Sequence, residues 1–323
     1  MQQKKETVRE QMNQLGKAGK AFLFIVDFLM KKPVVLPAEE IDPEAVLFQL
    51  PGTSNTGESP APEFHFAKSP VPYRAYSEAF AIVRSHFLRG NTFLTNLTFP
   101  TPVDTNLSLR DIFHFSRAKY KLLYRDNFVV FSPEIFVRIN NGTIASYPMK
   151  GTIDASVPQA EKVILADEKE MAEHITIVDL IRNDIGIIAE QVRVTKFRYI
   201  DRLTTNQKDL LQVSSEITGR LPHDYRNYIG DILFAMLPAG SITGAPKKKT
   251  VDIILEAENY DRGYYTGVFG YFDGHNLDSA VMIRFIERQG EQLVFKSGGG
   301  LTVYSNCEAE YQEYVDKVYV PIY

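Results

Sequence analysis

The stretch YKLLYRDNFVVFSPEIFVRINNGTIASYPM, residues 120–149, decides the fold. Its short runs of Tyr, Leu, Val, Phe and Ile suit a pleated, half-buried surface and read as repeated strands. Asn140-Asn141-Gly142, between two of them, is a tight-turn signal, because Asn and Gly accept the positive φ of a short hairpin. The same kind of run recurs on both sides. TFLTNLTF (92–99) precedes it; QVRVTKFRYIDRLT (191–204), YTGVFGYFDG (265–274), LDSAVMIRFIER (277–288) and QLVFKSGG (292–299) follow. Single helical segments interrupt these runs. One extends from Tyr76 to a capping glycine at Gly90, and a long one covers 168–188. Another starts near Thr243-Gly244-Ala245-Pro246 with proline in its first turn, and the last spans 307–318. Antiparallel-looking clusters of strands broken by single helices make an α+β chain, not a doubly wound sheet.

Upstream, residues 1–20 are polar and amide-rich, a frayed start or a first helix. AFLFIVDFLMKKPVVLP (21–37) holds two β-type runs split by Lys31-Lys32, a hairpin pattern, and PGTSNTGESPAPE (51–63) is a Gly/Ser/Pro-rich connection. Residues 1–75 therefore read as a short segment contributing to the same fold as 76–323, the part that carries the sequence blocks quoted below. The formal charge of −4 gives no electrostatic argument for nucleic acid or an anionic membrane surface. The apolar run 21–30 is too short to span a bilayer and carries Asp27. A single cysteine, Cys307, precludes an internal disulfide and fits a reducing compartment, so a soluble cytoplasmic protein is expected.

The six histidines are scattered, with no pair at metal-ligand spacing, and GSITGAPKKKT (240–250) lacks the spacing of a phosphate-binding P-loop. The carboxylates say more. Glu170 and Glu173 stand three apart on a predicted helix, and Glu310 and Glu313 repeat that spacing with Lys317 one turn on. Two such pairs meeting in a cleft would suit Mg²⁺, a hard ion with oxygen ligands. Taken alone, each pair is more commonly a solvated helix face.

Seven blocks in order change that weighting: SPEIFVRI (132–139), YPMKGT (147–152), KEMAEHITIVDLIRNDIG (169–186), LPAGSITGAPK (237–247), DRGYYTGVFGY (261–271), Ile283-Arg284, and SGGGLTVYSNCEAEYQEYVDK (297–317). Together they resemble the chorismate-utilising enzyme family, whose members include anthranilate, aminodeoxychorismate, isochorismate and salicylate synthases. The resemblance implies two antiparallel sheets face to face, helices outside, and a site in the cleft between them. Chorismate is a dicarboxylate with a leaving hydroxyl at C4. Arg284 would clamp one carboxylate through its planar fork, the alternative being a surface ion pair. Tyr265 and Lys317 would add donors, and Gly151 and Thr152 fall in the substrate-binding block. Gly298, Gly299 and Gly300 are expected to form an open loop whose N–H groups approach an anion, and Thr243 to abut a helix N-terminus. The resemblance assigns Mg²⁺ to Glu173, Glu310 and Glu313 with Glu170 nearby, and the general acid to Glu134.

Within the family, Lys150 in YPMKGT occupies the position where lysine marks aminodeoxychorismate synthases and alanine marks anthranilate synthases. The expected role is a nucleophile, its amine lowered in pKa by a neighbouring cation and by desolvation. Leu94 stands where isochorismate and salicylate synthases carry a water-activating lysine. Three departures are Ala239, Phe285 and Gln212, the last in place of a family histidine. The resemblance thus points to aminodeoxychorismate synthase component I, with anthranilate synthase component I or a catalytically silent homologue as alternatives. No tryptophan-pocket motif is present, so feedback by tryptophan is not expected. No amidotransferase elbow is present either, and Cys307 among acidic residues is a poor thiolate, so ammonia would come from a glutamine amidotransferase partner or from solution.

Overall fold

The structure, a computed structural model, describes residues 2–57, 62–204 and 209–322; part of the connection expected at 51–63 lies outside the described residues. The strands form two nine-stranded sheets, antiparallel at every pairing named below. The first runs Met149–Asp154, Asp209–Arg220, Thr143–Ser146, Ile135–Asn140, Leu277–Val281, Val268–Phe272, Phe22–Val26, Val34–Pro37, with Glu190–Thr204 paired to Asp209–Arg220. The second runs Gly244–Ala245, Leu94–Thr105, Gln292–Leu301, Phe285–Gln289, Phe128–Ser132, Tyr120–Tyr124, Val46–Leu50, Thr53–Ser54, with Phe66–Lys68 paired to Leu94–Thr105.

Strand periodicity explains why the sheets stack. Along Phe22–Val26, Leu23 and Ile25 point to one face, where they meet Val46, Phe48, Leu122 and Phe128 of the other sheet. Phe22, Phe24 and Val26 point to the opposite face, against Met12, Ile177, Ile181 and Leu233 from the helices Gln2–Lys17, Glu168–Gly186 and Ile229–Met236. The outer face of the second sheet is covered in the same way, Leu123, Val129 and Phe295 packing on Leu109, Ile112 and Phe113 of the helix Leu109–Phe115. Each fully buried Leu, Ile or Phe in these layers contributes about 1.5–3 kcal/mol. The chain is α+β, with facing antiparallel sheets and helices outside.

Two strand-rich runs change sheets midway. In 120–149, Phe128–Ser132 belongs to the second sheet and Ile135–Asn140 to the first; Pro133, which has no N–H for a ladder, stands at the break. In 277–288, Leu277–Val281 belongs to the first sheet and Phe285–Gln289 to the second. Its apolar pattern runs unbroken through Met282-Ile283, so periodicity carries no sign of the switch; the break is marked by Arg284 at φ 54°. Glu134 and Arg284 are thereby carried into the space between the sheets.

The helices Glu168–Gly186 and Cys307–Asp316 are each started by a side-chain cap, Asp167 accepting from the Glu170 N–H and Asn306 from those of Glu308 and Ala309. The helix expected from Thr243 begins only at Lys247, because Gly244–Ala245 first pairs as a short strand with Leu94 and Thr95. Among the described residues, no helix is long and apolar enough to cross a membrane.

Candidate active site

A cleft of about 520 Å³ opens between the sheets, and every residue singled out above for catalysis, substrate or metal lines it. Lys150 and Glu134 are there, with Gly151, Thr152, Thr243, Tyr265, Arg284, Gly298, Gly299, Gly300 and Lys317, and the carboxylates Glu170, Glu173, Glu310 and Glu313.

Lys150 is aimed by a backbone irregularity. The register of Met149–Asp154 against Asp209–Arg220 shifts between Met149 and Thr152, and Gly151 sits in that bulge at φ 78°. A bulge re-aims side chains that strict alternation would send to opposite faces, so Met149, Lys150, Gly151 and Thr152 all reach the cleft. The Lys150 ammonium donates to Glu173 Oε2 at 2.6 Å. The expected neighbouring cation is not what surrounds it. Burial pulls its pKa down, but Glu173, Glu170 and Glu313 more than reverse this, leaving Lys150 above the usual lysine range. In this arrangement it is a charged, paired ammonium, contrary to the depressed amine expected from sequence.

Glu134 accepts from Ser241 Oγ at 2.5 Å. Burial pushes its carboxyl above the ordinary carboxylate range, with Ser241, Lys317 and Lys150 pulling the other way. Among the described residues Arg284 has no ion-pair partner; it donates to the Lys317 carbonyl at 2.8 Å and lies 4.8 Å from the centre of the Tyr319 ring. Tyr265 is buried at the cleft wall, its hydroxyl pKa raised by that burial. Lys317 donates to the Gly298 carbonyl at 3.0 Å and to Glu313 at 2.5 Å.

Two expectations of local structure fail. Gly298, Gly299 and Gly300 are not a loop; they lie within the strand Gln292–Leu301, opposite Thr98, Leu97 and Asn96. Their small size serves close approach instead. A Cβ on Gly298 would stand 2.2 Å from the Leu97 carbonyl oxygen, whereas one on Gly299 would only make ordinary contact with Glu310, Glu313 and Lys317, 3.4–3.8 Å away. Thr243 does not abut a helix start: the short strand intervenes, and its hydroxyl donates to the Ala239 carbonyl at 2.7 Å.

Sequence reasoning passed over Ser241, Asn96 and Lys296, which also line the cleft. Ser241 stood inside a quoted block, but nothing in its type marks a partner for Glu134. Lys296 is buried, pairs with Glu287 at 2.9 Å and has its pKa lowered by burial against the pull of Glu287.

For Mg²⁺ the donor set is chemically apt: four carboxylates from two helices, with Glu310 Oε2 and Glu313 Oε1 lying 3.4 and 3.6 Å from where a Gly299 Cβ would be. Among the described residues, however, no three His, Cys, Asp or Glu are gathered as a ligand set, and Lys150 and Lys317 hold Glu173 and Glu313. The residues fit the ion in kind, and two of the four carboxylates, Glu173 and Glu313, are paired with lysines.

The fold and this cleft define a chorismate-binding architecture, and the chain belongs to the chorismate binding enzyme family, whose profile matches residues 31–322. It is 51% identical to the "Uncharacterized PabA-like protein" of Haemophilus influenzae, covering 97% of this chain and 96% of that one. It is 30% identical to aminodeoxychorismate synthase component 1 of Bacillus subtilis over 84% of this chain and 60% of the relative. Among solved structures, anthranilate synthase component I from Streptococcus pneumoniae superposes with a TM-score of 0.68 at 28% identity, over 80% of this chain and 59% of that one.

Proposed function

We propose that this chain acts as aminodeoxychorismate synthase component I, converting chorismate and ammonia to 4-amino-4-deoxychorismate for 4-aminobenzoate and folate synthesis. The observation that carries the reading is Lys150. It is an amine aimed into the cleft by the Gly151 bulge, its Nζ lying 3.6 Å from where a Gly300 Cβ would be, with Leu94 on the same side of that glycine. A leucine cannot activate water, which leaves the lysine amine as the nucleophile at that end of the cleft.

In this reading Arg284, Lys317 and Tyr265 hold the carboxylates of the substrate, and Gly298 to Gly300 leave room for its ring. Mg²⁺, when bound by Glu173, Glu310, Glu313 and Glu170, supplies positive charge to the ring carboxylate. The attacking group is the neutral amine, so before chemistry the Lys150–Glu173 pair has to part and the ammonium has to release one proton to the solvent of the open cleft. The Lys150 nitrogen bonds to C2, the ring double bonds shift, and the C4–O bond breaks while Glu134 gives its proton to the departing oxygen, which leaves as water. Ammonia then bonds to C4, the double bonds shift back, and the C2–N bond to Lys150 breaks. The enolpyruvyl group is retained. Ammonia would come from a separate glutamine amidotransferase subunit or from solution.

The test is the purified chain with chorismate, Mg²⁺ and ammonium, with the product identified by mass. An aminated product that keeps the enolpyruvyl group supports the reading. Anthranilate supports the alternative synthase, and unchanged chorismate a silent homologue.

A further inference from the structure

The two oxygens of the Glu134 carboxyl are not equivalent. Oε1 accepts from Ser241 Oγ at 2.5 Å. Ser241 lies in the short turn Gly240–Ile242, and that turn is pinned on both sides. Gly240 lies so close to Asp184 and Leu180 that a Cβ there would be about 3.0 Å from each. Asp184 in turn pairs with Lys247 at 2.7 Å, tying the helix Glu168–Gly186 to the helix Lys247–Ala257. Behind Ser241 and Glu134 is a chamber of about 20 Å³, room for about one water. Its other polar side chains are committed: Ser146 donates to the Phe136 carbonyl at 2.9 Å, Asp184 is held by Lys247, and the Tyr147 hydroxyl is hydrogen-bonded to Glu216. Among the described residues lining that chamber, Ser241 is the hydroxyl directed at Glu134.

We propose that Ser241 is the positioning residue of the general acid: by donating to Oε1 it leaves Oε2 to carry the proton and turns that oxygen toward the departing C4 hydroxyl. The inference rests on Glu134 being the acid of the proposed reaction. A hydroxyl on a fixed turn can do this because it offers one proton in one direction. The charged and titratable groups around Glu134 are Lys150, Lys317, Arg284 and Tyr265 from the cleft, and Tyr147 and Asp184 from the chamber, Asp184 itself held by Lys247. None of them is changed in the variants below. The hydrogen bond also favours the ionised carboxyl, so its loss moves the titration of Glu134 upward.

The experiment compares wild type, Ser241→Ala, Ser241→Thr and Glu134→Gln by amination kinetics across pH and by infrared spectroscopy of the protonated carboxyl, assigned by its absence in Glu134→Gln. In Ser241→Ala, kcat is expected to fall about 10- to 100-fold with little change in the KM for chorismate. The alkaline limb of the pH profile moves to higher pH, and the carboxyl band moves to higher frequency as it loses a donor. Ser241→Thr restores all three. Should the alanine variant fail to fold, Ser241→Cys, of similar size but a weak donor, gives the same readouts. An unmoved pH limb and band in folded Ser241→Ala, or in the Ser241→Cys substitute, overturns the proposal, as does a fall in activity explained by KM alone. Full activity in Ser241→Ala beside an inactive Glu134→Gln overturns this inference only; full activity in Glu134→Gln overturns the acid assignment beneath it.

Discussion

Glu134 and Arg284 are held by reciprocal backbone bonds at the two places where the chain passes between sheets. The Glu134 carbonyl accepts from the Val281 N–H at 3.1 Å, and the Arg284 carbonyl accepts from the Phe131 N–H at 3.0 Å. Each crossing therefore fixes the other, and an acid and a cation are set on opposite sides of one seam by main-chain geometry. Truncating either side chain leaves those bonds intact, which separates chemistry from folding in the variants below.

Lys150→Ala is expected to slow amination by more than about 1000-fold, since no other amine takes its place at C2. Chorismate and Mg²⁺ binding, measured by calorimetry, should remain near wild type because Glu173 is released and not lost. Wild-type turnover in this variant would contradict covalent catalysis by Lys150.

The raised Glu134 pKa sets a pH dependence. The acid form survives past the ordinary carboxylate pKa of about 4.3 and is lost as pH rises through the raised value, so kcat falls on the alkaline side. Protonated Glu134 likewise favours the fold: that contribution is complete below the unfolded pKa and disappears as pH climbs through the folded one. Glu134→Gln should lower kcat about 100-fold or more and flatten the alkaline limb. A limb that persists unchanged in that variant assigns it to another group.

Glu173→Gln and Glu313→Gln should each raise the Mg²⁺ concentration needed for half-maximal turnover by about tenfold or more, and a chelator should abolish turnover reversibly. Turnover indifferent to chelation removes the metal from the proposal.

Stability depends on a second buried pair close to the cleft. Arg262 and Glu258 meet at 2.6 Å, each 2% exposed, and Glu258 also takes the Thr98 N–H and hydroxyl while Arg262 donates to the Asn96 and Ile242 carbonyls. Glu258→Ala leaves the guanidinium buried without its partner and should cost about 3–5 kcal/mol in urea unfolding. A loss below about 1 kcal/mol would show that the network does not hold the strand carrying Asn96.

Residue types in ordered blocks made much of this cleft legible: Glu134, Lys150, Arg284 and the two carboxylate pairs all reach it. What escaped was whatever depends on the third dimension. The switch of sheet at Met282 to Arg284 is invisible because both halves are apolar and the pattern never breaks. QLVFKSGG reads as a strand, but the Gly298 to Gly300 run reads as a loop opening at its end; the chain stays in the strand to Leu301, and the missing Gly298 side chain admits the Leu97 carbonyl. The ionic surroundings of Lys150 came out reversed, because its nearest partner, Glu173, lies 23 residues away on another element. Ser241 was overlooked since a serine acquires meaning only from what it faces.

The most direct measurement is the product balance of the purified chain with chorismate, ammonium and Mg²⁺. In the proposed reaction Lys150 occupies C2 and directs nitrogen to C4, and Gln212, on the cleft wall, is a neutral amide that cannot exchange a proton near neutral pH as an imidazole does. An aminated product without pyruvate is therefore predicted, with pyruvate and 4-aminobenzoate released only after an aminodeoxychorismate lyase is added. Stoichiometric pyruvate with fluorescent anthranilate, formed by this chain alone, would contradict it.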